Sequence, residues 1–184
     1  MKKAAKAIQL HKEKIMSLWE EKVKKEILAS GETSNLALRN QLPHVLDDVV
    51  KIMNRYNDFE QLKHDENYEE IISNSLDHGR HRATSPLYTI KQILGEYLIF
   101  HKILTETLQK ENAYTAEVGI ILKYSIETAM MNSATSFSDS LQEMREKLVG
   151  TLAHDMRNPL SAAYLAIDNL EYSYGEKRFE KIKT

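Results

Sequence analysis

Apolar residues recur at intervals of three and four along nearly the whole chain, and almost no stretch alternates with a period of two. Such spacing lines one face of an α-helix and does not line one face of a strand. Three prolines and six glycines in 184 residues supply few breakers, so the helices are expected to be long. The expected fold class is all-α.

From Ala4 to Leu28 the stripe is Ile8, Ile15, Leu18, Trp19, Val23 and Ile27, set among lysines and glutamates. The polar run Ala29–Asn35 reads as a loop, with Gly31 as a helix stop and Thr33 or Ser34 as the next cap. A second helix to about Tyr56 carries Leu36, Leu38, Leu42, Val45, Leu46, Val49, Val50 and Met53, and Pro43 inside it is expected to bend or break it. A connection follows, then a third helix over roughly Glu66 to His81. Ser85 as cap and Pro86 at the first helical position announce a fourth helix, with Leu87, Ile90, Leu94, Tyr97, Leu98, His101, Leu104 and Leu108 on one face. Gly95 within it marks the close approach of another helix.

From Tyr114 no proline occurs before Pro159, and the glycines before it, Gly119 and Gly150, stand singly and need not stop a helix. Ile126, Met130, Ser133, Phe137, Leu141, Met144, Leu148 and Leu152 follow one another at steps of four or three, with an extra step of four. That is heptad-like spacing with a stutter, as in a coiled coil. A helix this long exceeds what one compact domain needs and reads as a connector between two functional parts.

A net charge of −2 gives no field that favours nucleic acid or an anionic membrane, and Lys2, Lys3 and Lys6 read as the solvated face of the first helix. Without cysteine there is no disulfide, no thiol chemistry and no thiolate zinc site. No apolar run approaches the roughly 18 residues of a membrane span. With Met1 opening the chain and no signal peptide before the first helix, a cytoplasmic protein without an upstream anchor is expected.

The chemistry concentrates in Leu148–Ala162, "LVGTLAHDMRNPLSA". On a helix Leu148, Leu152, Met156, Leu160, Ala163, Ile167 and Leu170 share one side, whereas His154 lies about 200° from Leu152 and Met156 and faces solvent. Thr151 and Asn158 share the histidine's face. A free imidazole titrates near pH ~6.5, so much of it is neutral and nucleophilic at cellular pH. Asp155 beside it suits a hydrogen bond from Nδ1–H, which leaves Nε2 free to attack. Phosphoryl transfer to Nε2 asks mainly for positioning and charge neutralisation, the latter a role for Arg157. Asn158 suits the orientation of a water that hydrolyses an acyl phosphate on a partner. Pro159 removes a ladder bond at a cost of roughly 3 kcal/mol and is expected to let the helix bend.

The nonamer "LAHDMRNPL" resembles the H-box of sensor histidine kinases, in the group with an acid after the histidine and Asn or Thr four residues on. Leu148 stands where that motif often has phenylalanine. The resemblance implies that His154 is the phosphoacceptor, Asp155 its assisting acid and Asn158 the residue of phosphatase activity. It also implies a dimerisation and phosphotransfer domain with two helices per chain in a four-helix bundle. Gly175 reads as the turn between them, and Arg178, Phe179 and Ile182 as the start of the second helix. An ATP-binding domain with Asn-rich and Gly-rich boxes is absent from the sequence, as is GxxxxGK[ST]. The expectation is therefore a truncated kinase, inactive alone, with ATP and Mg held by a domain beyond it and no cofactor of its own.

Upstream, Asp77–Leu104 resembles the helical N-terminal domain of Rsb-type stressosome co-antagonists, which also precedes histidine kinases. Gly79, Arg82 and Ala83 match its "GxxRA" segment, and Glu96 and Tyr97 its acidic-aromatic pair. That resemblance implies a globin-like helical bundle. Within it His78, Arg80, His81 and Arg82 form a basic cluster suited to an anion such as phosphate or a carboxylate. The plainer reading is a helix C-terminus whose cations complement the dipole. The arginines repel a cation, so no metal is expected.

The expected organisation is a sensor at 1–124, a signalling coiled coil at 125–147 and a partial phosphotransfer domain at 148–184. The expected function is that of a cytoplasmic, homodimeric sensor histidine kinase passing phosphate to an aspartate of a response regulator receiver domain, with neither nucleic acid nor membrane as partner. The alternative is a stressosome-like scaffold without kinase activity.

Overall fold

A computed structural model describes residues 1–27, 41–85 and 87–182. Among them every regular element is a helix and no strand occurs. The helices are α1 (Lys2–Leu10), α2 (Lys12–Glu26), α3 (Leu42–Arg55), α4 (Phe59–Lys63), α5 (Tyr68–Ile71), α6 (Asn74–Ala83), α7 (Ile90–Lys110) and α8 (Ala116–Ile182). The chain divides into two units, Met1–Leu141 and Gln142–Thr184. No helix of the described residues is long and apolar enough to cross a membrane.

In the first unit, α1 packs on α3 and α7, α2 on α7, and α3 on α6. The helix expected from Ala4 to Leu28 is two, because the backbone at His11 leaves helical geometry (φ −103°, ψ 13°). The break turns both apolar stripes inward: Ala4, Ala5 and Ile8 from α1, and Ile15, Met16, Trp19 and Val23 from α2. Helix α3 starts at Leu42 with Pro43 in its first turn. There the missing N–H has no helical partner to lose, so Pro43 opens the helix and does not bend it. The loop at 29–35, Leu36, Leu38 and Pro86 lie outside the described residues.

The third expected helix is divided at Ile72 and Ser73 into α5 and α6. The polar connection before it holds the short α4, whose first turn is capped by the Asp58 carboxylate accepting from Gln61 N at 2.9 Å. Helix α7 opens later than expected, at Ile90. Gln92 Oε1 accepts from Thr89 N at 2.7 Å, the side-chain half of a capping box. It closes on Asn112, whose φ of 49° lets Ala113 N reach Leu108 O at 2.8 Å and Asn112 N reach Gln109 O at 3.0 Å. Leu87, Ile90 and Leu98 are exposed, and the face turned to the core carries Ile93, Tyr97, Phe100, Ile103, Leu104 and Leu108. Trp19 is fully buried and donates from Nε1 to Glu96 O at 3.1 Å. Burying a large apolar side chain of this kind contributes roughly 1.5–3 kcal/mol.

The first part of α8 completes this core with Val118, Ile121, Leu122, Ile126, Ala129 and Phe137. The segment 125–147 is thus shared between the units: Ile126, Ser133 and Phe137 are buried in the first, whereas Met144 lies in the second. Helix α6 meets α8 without room for a side chain, since a Cβ on Gly79 would stand 2.1 Å from Ser133 O.

The second unit is helical as far as Ile182. Gly175, expected as a turn, is inside α8, so Arg178, Phe179 and Ile182 do not open a second helix. A single glycine costs a helix only up to about 1 kcal/mol, and no proline follows to stop it.

Candidate functional site

His154, Asp155, Arg157, Asn158 and Pro159 all lie on α8, where helical geometry fixes their mutual positions. His154 Nδ1 lies 3.2 Å from Oδ1 of Asp155, the next residue of the same helix. The two side chains are 75% and 69% exposed. A carboxylate only accepts, so Nδ1 is the donor in this contact and Nε2 takes no part in it. Asn158 is one turn further on and shares the histidine's face, and Arg157 is exposed beside it. Thr151, a turn before, is engaged with its own helix, its hydroxyl donating to Lys147 O at 2.9 Å.

Pro159 lies inside the helix without ending it. The ladder bond that it cannot make is the one to the carbonyl of residue i−4, which is Asp155. The residue that holds the imidazole therefore has its own backbone carbonyl relieved of a ladder partner.

The opposite face is apolar: Leu148, Leu152, Met156, Leu160, Ile167 and Leu170 are between 55% and 66% exposed. Exposure of His154 is therefore not special in this unit. What distinguishes its face is polarity, with a nucleophile, an acid, an amide and a guanidinium within two turns.

The basic cluster of the first unit is arranged differently. Arg80 is exposed and pairs with Asp77 at 3.0 Å. His78 and Arg82, one turn apart, both point inward onto Glu96 of α7, whose Oε2 accepts from His78 Nε2 at 2.8 Å and from Arg82 Nε at 3.1 Å. Tyr88 donates its hydroxyl to Glu96 Oε1 at 2.8 Å, and its ring lies under the Arg82 guanidinium at 4.9 Å. The carboxylate held by His78 and Arg82 is thus the chain's own. His81 is half-buried and makes no hydrogen bond with Glu96.

Burial pushes the His78 imidazole below its ordinary range, against the hydrogen bond and charge of Glu96, so the ring is neutral and donates from Nε2. Burial alone would raise the Glu96 carboxyl, but the hydrogen bond and any charge on His78, the charge of Arg82 and the Tyr88 hydroxyl outweigh it and hold the group below its ordinary range. Burial and the Glu96 charge push the Tyr88 phenol well above its usual range.

Sequence reasoning missed Glu96 as the centre of this network and Ser133 as the residue on which α6 and α7 meet α8. It also missed Asp48, fully buried on α3, which accepts from Asn74 Nδ2 at 2.9 Å and from Lys51 at 3.0 Å. An acid at a core position of a stripe, such as Asp48 among Val45, Val49 and Ile52, was the available signal.

No family model, curated protein or solved structure matches this chain.

Proposed function

We propose that the chain is the sensor and phosphoacceptor part of a histidine kinase, with His154 as the residue phosphorylated. The observation that carries this reading is the His154–Asp155 contact at 3.2 Å, on a helix whose nine residues around it resemble an H-box. In this mechanism Nε2 attacks the γ-phosphorus of ATP held by another domain. The N–P bond forms as the bond to the bridging oxygen breaks, and ADP leaves. Asp155 holds the Nδ1 proton and stabilises the imidazolium charge that develops. Arg157 offsets charge on the phosphoryl oxygens. The phosphoryl group then passes to a receiver aspartate, and Asn158 positions water for the reverse hydrolysis.

The bare apolar stripe from Leu148 to Leu170 supports pairing with a second copy, which would bury it and leave the His154 face outward. The test is incubation with radiolabelled ATP and a histidine-kinase ATP-binding domain supplied in trans. The reading requires an acid-labile, alkali-stable label that His154→Gln abolishes. A scaffold without kinase activity leaves wild type and variant equally unlabelled.

A further inference from the structure

The buried Glu96 network stands against a helix crossing of the first unit that leaves no room for a side chain. His78 precedes Gly79, and Gly79 lies on the Ser133 carbonyl of α8. The Ser133 hydroxyl donates to Ser75 O of α6, and the Tyr97 hydroxyl therefore donates to Ser133 Oγ, at 2.7 Å. One turn on, Ser136 Oγ donates to Leu76 O at 2.8 Å. The Tyr97 ring packs edge-on against His78 with centroids 5.4 Å apart. The imidazole therefore touches both the carboxylate that anchors α6 to α7 and the tyrosine that anchors α7 to α8.

We propose that these residues form a proton-operated clasp: with His78 neutral, α6 and Tyr97 hold Ser133 of α8, and a proton on His78 loosens that hold.

The charges explain the direction. Glu96 and Arg82 already balance, so a proton on His78 adds an uncompensated cation at a site with 2% or less of each side chain exposed. Such a charge is stabilised by water, which a shift of α6 at the crossing would admit to the buried ring. The crossing cannot absorb a shift quietly, because backbone meets backbone there. Other groups around the clasp leave the trigger with His78. On α6, His81 is half-buried beside Arg82, and Asp77 is exposed with Arg80. On α7, Glu96 stays ionised below the ordinary carboxylate range, and His101 lies near Lys123 and Glu127 of α8. On α3, Asp48 is occupied by Asn74 and Lys51. Residues 133–137 of α8 carry no ionisable side chain. The clasp lies within residues 1–141 and stands whether or not His154 receives phosphate.

The experiment is amide hydrogen exchange of the whole chain from about pH 7.5 to about pH 5.5, expressed as protection corrected for intrinsic exchange. Protection at residues 129–137 is expected to fall as pH drops below about 6.5, by up to tenfold per pH unit for one proton taken up. His78→Gln, which keeps a neutral donor to Glu96, is expected to abolish that fall, whereas a combined His81→Gln, His101→Gln variant keeps it. An equal acid response in His78→Gln, or undiminished protection in the wild type, overturns the proposal. If His78→Gln does not fold, a titration of carbon-labelled histidine in the wild type decides. A His78 ring that stays neutral just below pH 6.5 while protection falls, and titrates only at lower pH, supports the clasp, and a ring that titrates at or above 6.5 overturns it.

Discussion

His78 Nε2 and Glu96 Oε2 lie 2.8 Å apart, with 2% of one side chain exposed and none of the other. Arg82 approaches the same oxygen at 3.1 Å, so Glu96 answers two donors from one helix and a third, Tyr88, from the segment before its own. Removing one member of a buried charged network leaves its partners uncompensated, at a cost of about 3–5 kcal/mol. Glu96→Ala is expected to lose that much in urea unfolding. By contrast Asp77→Ala, which breaks an exposed pair, is expected to change stability by no more than about 0.5 kcal/mol.

Two glycines of the same helical class are expected to respond in opposite directions. Gly79→Ala drives a Cβ to 2.1 Å from a backbone carbonyl, and the helices must separate. The expected loss is roughly 1–3 kcal/mol even after alanine's better helix propensity is counted. A Cβ on Gly150 meets nothing within 4 Å, so Gly150→Ala stabilises its stretch of α8 by up to about 1 kcal/mol. Thermal unfolding reports the first change and local hydrogen exchange the second.

Stability is expected to fall on both sides of neutrality. His78 and Glu96 both bind protons less readily folded than unfolded, so the unfolded chain takes up more protons as pH drops. The loss begins below the ordinary histidine value of 6.5 and deepens below the carboxylate value of 4.5. Burial and the hydrogen bond to Asp65 push Tyr56 up to about 12, so above its ordinary 10.0 the unfolded chain releases its proton first and stability falls again. Denaturant midpoints measured across pH check both arms.

At the proposed phosphoacceptor, Asp155→Asn keeps an oxygen acceptor but removes the charge that stabilises the imidazolium. Phosphorylation of His154 in trans is expected to slow by on the order of 10²-fold. Asn158→Ala is expected to leave phosphorylation near wild type and to impair dephosphorylation of the receiver partner. A time course of label on each protein separates the two effects.

The all-helical class was legible because spacing of three and four is a local property of the chain. Helix ends were legible only in part. Pro43 was read from the helix-breaking side of proline chemistry although its place at α3's first turn is equally proline's own. The pair Thr89 and Gln92 has capping-box spacing and marked the start of α7 more faithfully than Ser85 and Pro86 did. Gln92→Ala is accordingly expected to cost about 1 kcal/mol in unfolding free energy.

What the sequence hid was tertiary. Ile126, Ser133 and Phe137 have coiled-coil spacing, yet a stripe does not say whether it faces a second copy or its own domain, and here it faces its own core. In the sequence His78 and Arg82 read as cations at a helix C-terminus, with an anion site as the alternative, because their partner lies 18 and 14 residues away on another helix. The segment "GxxRA" and the pair Glu96–Tyr97 were noticed as a pattern, and in space they adjoin: Arg82 on Glu96, Gly79 and Tyr97 on Ser133.

The phosphoacceptor assignment meets its most direct test in mapping the phosphate. The protein is purified from its cells at neutral to alkaline pH, digested, and its peptides read by mass spectrometry under conditions that spare phosphohistidine. The account predicts phosphate on the peptide containing His154, lost on brief acid treatment. Acid-stable phosphate on a serine, threonine or tyrosine alone, or phosphohistidine at another of the seven histidines with His154 bare, would contradict it.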